Sequence, residues 1–440
     1  MTRYSKPSFT ALPYLNRRPL HLLYRRRKKV NDPPGAWLVG TPSFWLGLSL
    51  FLLFSLHCPR NTRAQTFSDS SRISLLTCAP GAELFSKFGH SALRINDPLT
   101  GRDVVFNYGL FDFNTPYFYP KFIRGKLKYM LGVQDTRDFI YIYAREGRKV
   151  EEQVLQLNTA QRRRIIQYLL ENYRPENRYY LYDFFYDNCA TRIRDILEEE
   201  FATELIPRQP DPSGKTFRQL LDEYIGPFPW ADFGIDIILG LPADRVAGFR
   251  NEMFLPDYLS AHFAEASFQG KRLTPFPTLV EPPRIDYLEP SGYPSPLLVF
   301  GVLLVLMLLQ TWRGTPKVGM AADTLFFGVA GLAGLLLIFM WLGTDHRATW
   351  YNMNLLWAQP LWLFAIGSIY SVSWSTWPLR ISVVLVGIAL LGFPFWPQEF
   401  HPALLPIFVI FLLRGTRLWR AQLGSSGRTA RHDAAARISV

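Results

Sequence analysis

The second half of the chain most restricts what it can fold into. Apolar runs recur at roughly 294–312, 323–343, 354–373, 378–397 and 402–414. Each is near the length that a helix needs to cross a bilayer, where every backbone polar group has to be satisfied within the segment. The pattern predicts an all-α polytopic membrane domain of about five spans over 294–414. Charge agrees with it. Of a formal net charge of +12, residues 1–31 hold nine Lys/Arg and no acid, and residues 414–440 hold six Arg and one Asp. The remainder is slightly acidic, so the basicity belongs to the flanks of apolar segments and does not point to nucleic acid. Arg313, Lys317 and Arg380 lie in the loops after the first and third runs, whereas "GTDHRATWYNM" and "PQEFHP" are not comparably basic. An exported domain ahead of five spans then leaves a basic tail, 415–440, in the cytoplasm.

Near the N-terminus, "SFWLGLSLFLLFSLHC" follows the basic start. It is the length of a signal-peptide apolar region, and Thr62 and Ala64 offer a small-x-small cleavage site before Gln65. An uncleaved anchor is the alternative. Either way, residues 1–64 form the basic start plus signal, and residues 65–290 are exported.

Between Gln65 and about residue 290 the chain reads as α+β. Strands are expected at "RISLLTCAPG", in "ELFSKFGHSALRIND" and "RDVVFNYGLFDF", and again at "FIYIYARE" and "KVEEQVLQL". "NTAQRRRIIQYLLENY" reads as a helix capped by Asn158 or Thr159. Another helix, "CATRIRDILEEEF", follows Asp187 and Asn188, either of which caps well, and puts Cys189, Ile193, Ile196 and Leu197 on one face. A thiol in the first turn of a helix meets backbone N–H groups and the positive end of the helix dipole, which favour the thiolate. It can act as a nucleophile if a base is near.

Of seven histidines, only His90 and His262 fall in the exported stretch. His262 lies on an amphipathic segment and reads as a surface residue. His90 opens a strand and is the candidate base, with Asn107 on the next strand as the candidate group that orients its ring. The competing readings are a Cys78–Cys189 disulfide and a plain buried cysteine. "PSGKT" lacks the upstream glycine of a phosphate loop, and no metal-ligand spacing occurs, so no cofactor and no metal are expected. In "GTDHRATWYNMN", His346, Arg347, Asn352 and Asn354 are candidates for binding a lipid substrate on the exported face. They read equally well as interfacial anchors beside Trp350 and Tyr351.

A strand histidine followed much later by an Asn-Cys helix start resembles the circularly permuted branch of the papain-like NlpC/P60 superfamily, the branch that includes lecithin:retinol acyltransferase-like proteins. Four stretches in order, "ISLLTCAPGAELFSKFGHSALRI", "VVFNYGLFDF", "FFYDNCATRIRDIL" and "TDHRATWYNMNLLWAQPL", are similar to the Lnb family of Bacteroidetes. That resemblance implies a lipoprotein N-acyltransferase of the inner membrane with its catalytic domain in the periplasm. A phospholipid would be the acyl donor and a diacylglyceryl lipoprotein the acceptor, with Cys189 as nucleophile and His90 as base. The alternatives are a lipid or peptidoglycan hydrolase using the same pair, and a membrane scaffold with an exported binding domain.

Overall fold

The computed structural model describes residues 67–201, 205–207, 213–268, 270–290, 292–370 and 376–438. The signal or anchor segment and its cleavage site lie outside the described residues.

The N-terminal part is built on a seven-stranded antiparallel sheet. Its strands are β1 (Arg72–Cys78), β2 (His90–Asp97), β3 (Arg102–Leu110), β4 (Lys128–Asp135), β5 (Val150–Val154), β6 (Tyr179–Leu181) and β10 (Thr278–Glu281). They lie in the order β10-β5-β1-β2-β3-β4-β6, and β7 (Leu205–Pro207), β8 (Ala266–Phe268) and β9 (Lys271–Arg272) form a second, small sheet. Alternation along β1 sends Ile73 and Leu75 to one core and Leu76 and Cys78 to another, so both faces of the sheet are covered.

The helices of this part are α1 (Phe118–Ile123), α2 (Thr136–Arg145), α3 (Thr159–Asn172), α4 (Cys189–Phe201), α5 (Phe217–Ile225), α6 (Pro229–Ile238), α7 (Gly248–Glu252) and α8 (Pro256–Glu265). One core joins the sheet to α3, α4 and α8 through Ile165, Leu169, Ile193, Leu197 and Leu259. The other holds Phe139 and Tyr143 of α2. The expected strand "FIYIYARE" is therefore part of a helix. Asp135 caps it by accepting the Arg137 N–H at 2.9 Å. Phe139 and Tyr143, four apart, share the buried face, so helical packing overrides the β-preference of aromatic and β-branched residues. Asn158 caps α3 in a reciprocal box with Gln161, as expected.

The C-terminal region is helical: α9 (Pro296–Arg313), α10 (Pro316–Leu342), α11 (Leu361–Ala365), α12 (Thr376–Leu391) and α13 (Leu404–Ile438). Two of these, α9 and α10, are long and apolar enough to cross a membrane, and α12 is a shorter apolar helix. Much of the surface of α9 and α10 is exposed leucine and valine, the composition a lipid-facing surface requires. The expected third span is not one helix. Residues 353–356 and 366–370 are 3-10 turns flanking α11. Pro360 has no N–H to donate and steers Gln359 away from helical backbone, so a helix cannot run through. The last helix, α13, continues from the fifth apolar run through the expected tail as far as Ile438.

One ion pair is buried in this bundle. Arg414 Nη2 donates to Asp323 Oδ2 at 2.8 Å, and its other N–H groups reach Gln310, Thr311 and the Gly319 carbonyl. A charge at this depth is tolerated because every donor has an acceptor.

Candidate active site

Helix α4 begins at Cys189 because Asn188 stops the preceding turn. Its Oδ1 accepts the N–H groups of Ala190 and Thr191, both at 2.9 Å. Its Nδ2 donates to the carbonyls of Phe184 and Phe254 at 2.8 Å. The Asn188 N–H in turn donates to Thr191 Oγ1 at 2.7 Å. One asparagine thus caps the helix and clamps it to two loops. Asp187 pairs with Arg192, whose guanidinium lies 3.7 Å from the centre of the Tyr180 ring. Behind the cap, Ile193, Ile196 and Leu197 are buried as their spacing requires.

The sheet brings the other two candidates to the same place. The ladder between β2 and β3 stops at the pair Leu93–Phe106. Asn107 lies one residue beyond that last rung and His90 three residues beyond it on the other strand, and β3 bulges between Asn107 and Leu110. Two glycines shape this corner. Gly89, at φ +73°, turns the chain into β2, where a Cβ would stand 2.8 Å from the Cys78 carbonyl oxygen. Gly109, at φ +89°, lies over the site, where a Cβ would stand 3.9 Å from both Cys189 Cβ and His90 Cε1.

His90 Nε2 donates to Asn107 Oδ1 at 2.7 Å, because an amide oxygen only accepts. The proton is thereby held on Nε2, and Nδ1 is left for the sulfur. Burial pushes the Cys189 thiol up. The charge and hydrogen bond of His90, with the N–H groups of Ser91 and Ala190, outweigh burial and leave the thiol lowered. Burial pushes the imidazole down, but the Cys189 charge and the hydrogen bonds to Cys189 and Asn107 leave it raised. Opposite shifts of this kind favour a thiolate beside an imidazolium. Cys189 is buried, with 8% of the residue's surface exposed.

Cys78 and Cys189 are both free, so no bridge joins them. The Cys78 thiol is fully buried and pushed up to about 12 by that burial. His262 is not at the surface. It is buried against Glu252 at 3.2 Å on α8 and is not part of this site.

The four residues of the C-terminal loop part company. Arg347 lines a cavity of about 620 Å³ between that loop and the sheet domain, together with Tyr182, Asp183, Asp187, Arg192 and Asp345. His346 Nε2 donates to the carbonyls of Phe122 and Ile123 at 3.2 and 3.1 Å, so it fastens the β3–β4 connection. Asn352 and Asn354 are buried, with Nδ2 groups spent on the carbonyls of residues 236–238. They brace the loop against α6, and this corrects the expectation that they touch a lipid. The reading from sequence also missed Gly109, whose signal was a glycine within a strand, and Tyr182, which carried none.

Among the described residues, Asp232, Asp236 and His401 are grouped closely enough to share a cation. Arg218 already occupies Asp236 at 2.6 Å.

Two family models match the chain: the Lnb N-terminal periplasmic domain over residues 59–223, and the Lnb transmembrane domain over residues 289–423. No match is found among curated proteins or solved structures. Cys189, His90 and Asn107 all fall within the first match, and the lining residue Arg347 within the second. With both domains present in order, the chain belongs to the Lnb family, membrane proteins with a periplasmic N-terminal domain.

Proposed function

We propose that this protein is a thiol-dependent lipoprotein N-acyltransferase. It moves an acyl chain from a phospholipid, through an acyl-Cys189 thioester, to the N-terminal amine of a diacylglyceryl-cysteine lipoprotein. The observation that carries this reading is a lowered thiol at a helix start, paired with an imidazole that Asn107 orients. That machinery sits on a membrane domain, where ester substrates lie in the bilayer.

In the first half-reaction, the Cys189 thiolate attacks the ester carbonyl carbon, and the positive end of the α4 dipole favours the developing oxyanion. The carbon–oxygen bond breaks, the alkoxide takes the proton from the His90 imidazolium, and a lysophospholipid leaves. In the second half-reaction, a neutral amine attacks the thioester. Its proton passes to His90, the carbon–sulfur bond breaks, and the thiolate–imidazolium pair is restored. Arg347 is the candidate contact for the donor phosphate, in a cavity wall that it shares with Arg192 and four aspartates.

In topology, the order of strand histidine before helix cysteine supports a permuted papain-like domain. Loop residues Ala348 and Gln398 bond Gly240 and Leu239, which supports the loops after α10 and α12 being on the periplasmic side with the sheet domain. The segment 353–370, although broken, then makes the third of five crossings. This supports an inner-membrane protein whose C-terminus is cytoplasmic.

The product tests the reading. Mass spectrometry of a lipoprotein N-terminus should show the N-acyl mass in cells making the protein and its loss in cells making Cys189→Ser. An unchanged N-acyl mass in the Cys189→Ser cells would remove it.

A further inference from the structure

The β3–β4 connection, residues 111–127, is exposed and aromatic in a way that the chemistry at Cys189 does not explain. Phe113 is 66% exposed and Phe122 49%, and Tyr117 and Tyr119 are more exposed still. The neighbouring charge is basic. Between residues 111 and 128 stand Lys121, Arg124, Lys126 and Lys128 against one acid, Asp112. Exposed aromatic rings among basic residues are the composition of a segment that lies in the headgroup region of an anionic bilayer.

Its position fits. The Asp345 N–H donates to the Arg124 carbonyl at 3.0 Å, and His346 donates to the carbonyls of Phe122 and Ile123. Both lie in the loop that directly follows α10, whose last residue, Leu342, is exposed. The aromatic segment is therefore fastened at the mouth of an apolar helix and continues its lipid-facing surface.

The rings also lead inward. Phe113 and Phe122 lie against Phe118, with ring centres 4.9 and 6.2 Å away. Phe118 meets Phe111 at 5.8 Å, Phe111 meets Tyr129 at 5.3 Å, and Tyr129 stacks on Tyr182 at 4.5 Å. Tyr182 packs against the core that holds Cys189. Its phenol is pushed well up by burial and by the charge of that thiol.

We propose that this connection dips into the periplasmic leaflet, and that its ring series is the track along which a long acyl chain of the donor lipid reaches Cys189. The nature of the substrate rests on the acyl-transfer reading; insertion in the leaflet does not.

The test uses the full chain in nanodiscs of phosphatidylethanolamine and phosphatidylglycerol. A spin label at Phe113→Cys, with Cys58→Ser and Cys189→Ser, should be relaxed more by dissolved oxygen than by a water-soluble nickel chelate. The reverse order overturns the proposal. Separately, the acyl-Cys189 thioester is measured by mass with a dipalmitoyl donor and with dibutyryl phosphatidylcholine. In Phe113→Asp and Phe122→Asp the long-to-short ratio should fall about tenfold, the effect of leaving about two CH₂ groups of the acyl chain in water. An unchanged ratio, with normal acylation of the unaltered protein, overturns the track alone. No thioester from either donor overturns the acyl-transfer reading, and the spin label still decides insertion.

Discussion

Asn107 Oδ1 stands 2.7 Å from His90 Nε2, one residue past the last rung that joins their two strands. The contact fixes which ring nitrogen carries the proton and so which one meets the sulfur. Asn107→Ala frees the ring to rotate and to change tautomer. Turnover should fall on the order of tenfold to a hundredfold, less than removal of the base costs. Asn107→Asp should restore part of it, because a carboxylate also accepts from Nε2. Acyl-transfer rates for the two variants measure this.

Because the Cys189 thiol is lowered and the His90 ring raised, the ion pair has two limits. Below the lowered thiol value, the sulfur takes a proton. Above the raised imidazole value, the ring loses one. Activity should therefore follow a bell, with its acid limb below the ordinary thiol range and its alkaline limb above the ordinary histidine range. Alkylation at pH 7 should mark Cys189 well before Cys78, which burial pushes up to about 12. Peptide mapping after brief iodoacetamide treatment reads the difference.

Gly109→Ala forces a side chain into left-handed backbone and brings a methyl against the pair. It should cost roughly 1 kcal/mol of stability or more and lower activity further than that loss of fold explains. Thermal unfolding beside acylation kinetics separates the two effects.

Asn188→Ala removes a helix cap, costing about 1 kcal/mol, and leaves two carbonyls without their donor, costing about 1 to 3 kcal/mol more. Asn188→Asp keeps the cap but turns a buried carboxylate oxygen toward both carbonyls, so it should melt no higher than Asn188→Ala. Both are read as melting temperature in detergent.

Much of this arrangement is legible in the sequence for a specific reason. The i, i+4, i+7, i+8 spacing from Cys189 to Leu197 can come only from a helix buried on that face, and histidine is scarce enough to single out His90. Residues 139–146 misled because Phe139, Tyr141 and Tyr143 alternate like a strand while Phe139 and Tyr143 also suit a helix, and only the sheet beneath them decides. Asn352 and Asn354 looked like free polar groups because their partners, the carbonyls of 236–238, are more than a hundred residues away. The aromatic connection after β3 carries no period, so its exposure is visible only once the strands on either side are paired.

The buried pair in the helical region gives a further test. Asp323→Ala strands Arg414 without its counter-charge and should cost about 3 to 5 kcal/mol, whereas Asp323→Leu with Arg414→Leu should recover much of that loss. Detergent melting curves of the single and double variants give the comparison.

The most direct measurement is the mass of Cys189 after the protein meets a labelled phospholipid with no amine acceptor present. An acyl group should appear on that residue, leave on treatment with neutral hydroxylamine, and be absent from Cys189→Ser. A wild-type sulfur that stays unmodified while lipoprotein N-acylation proceeds would contradict the covalent account.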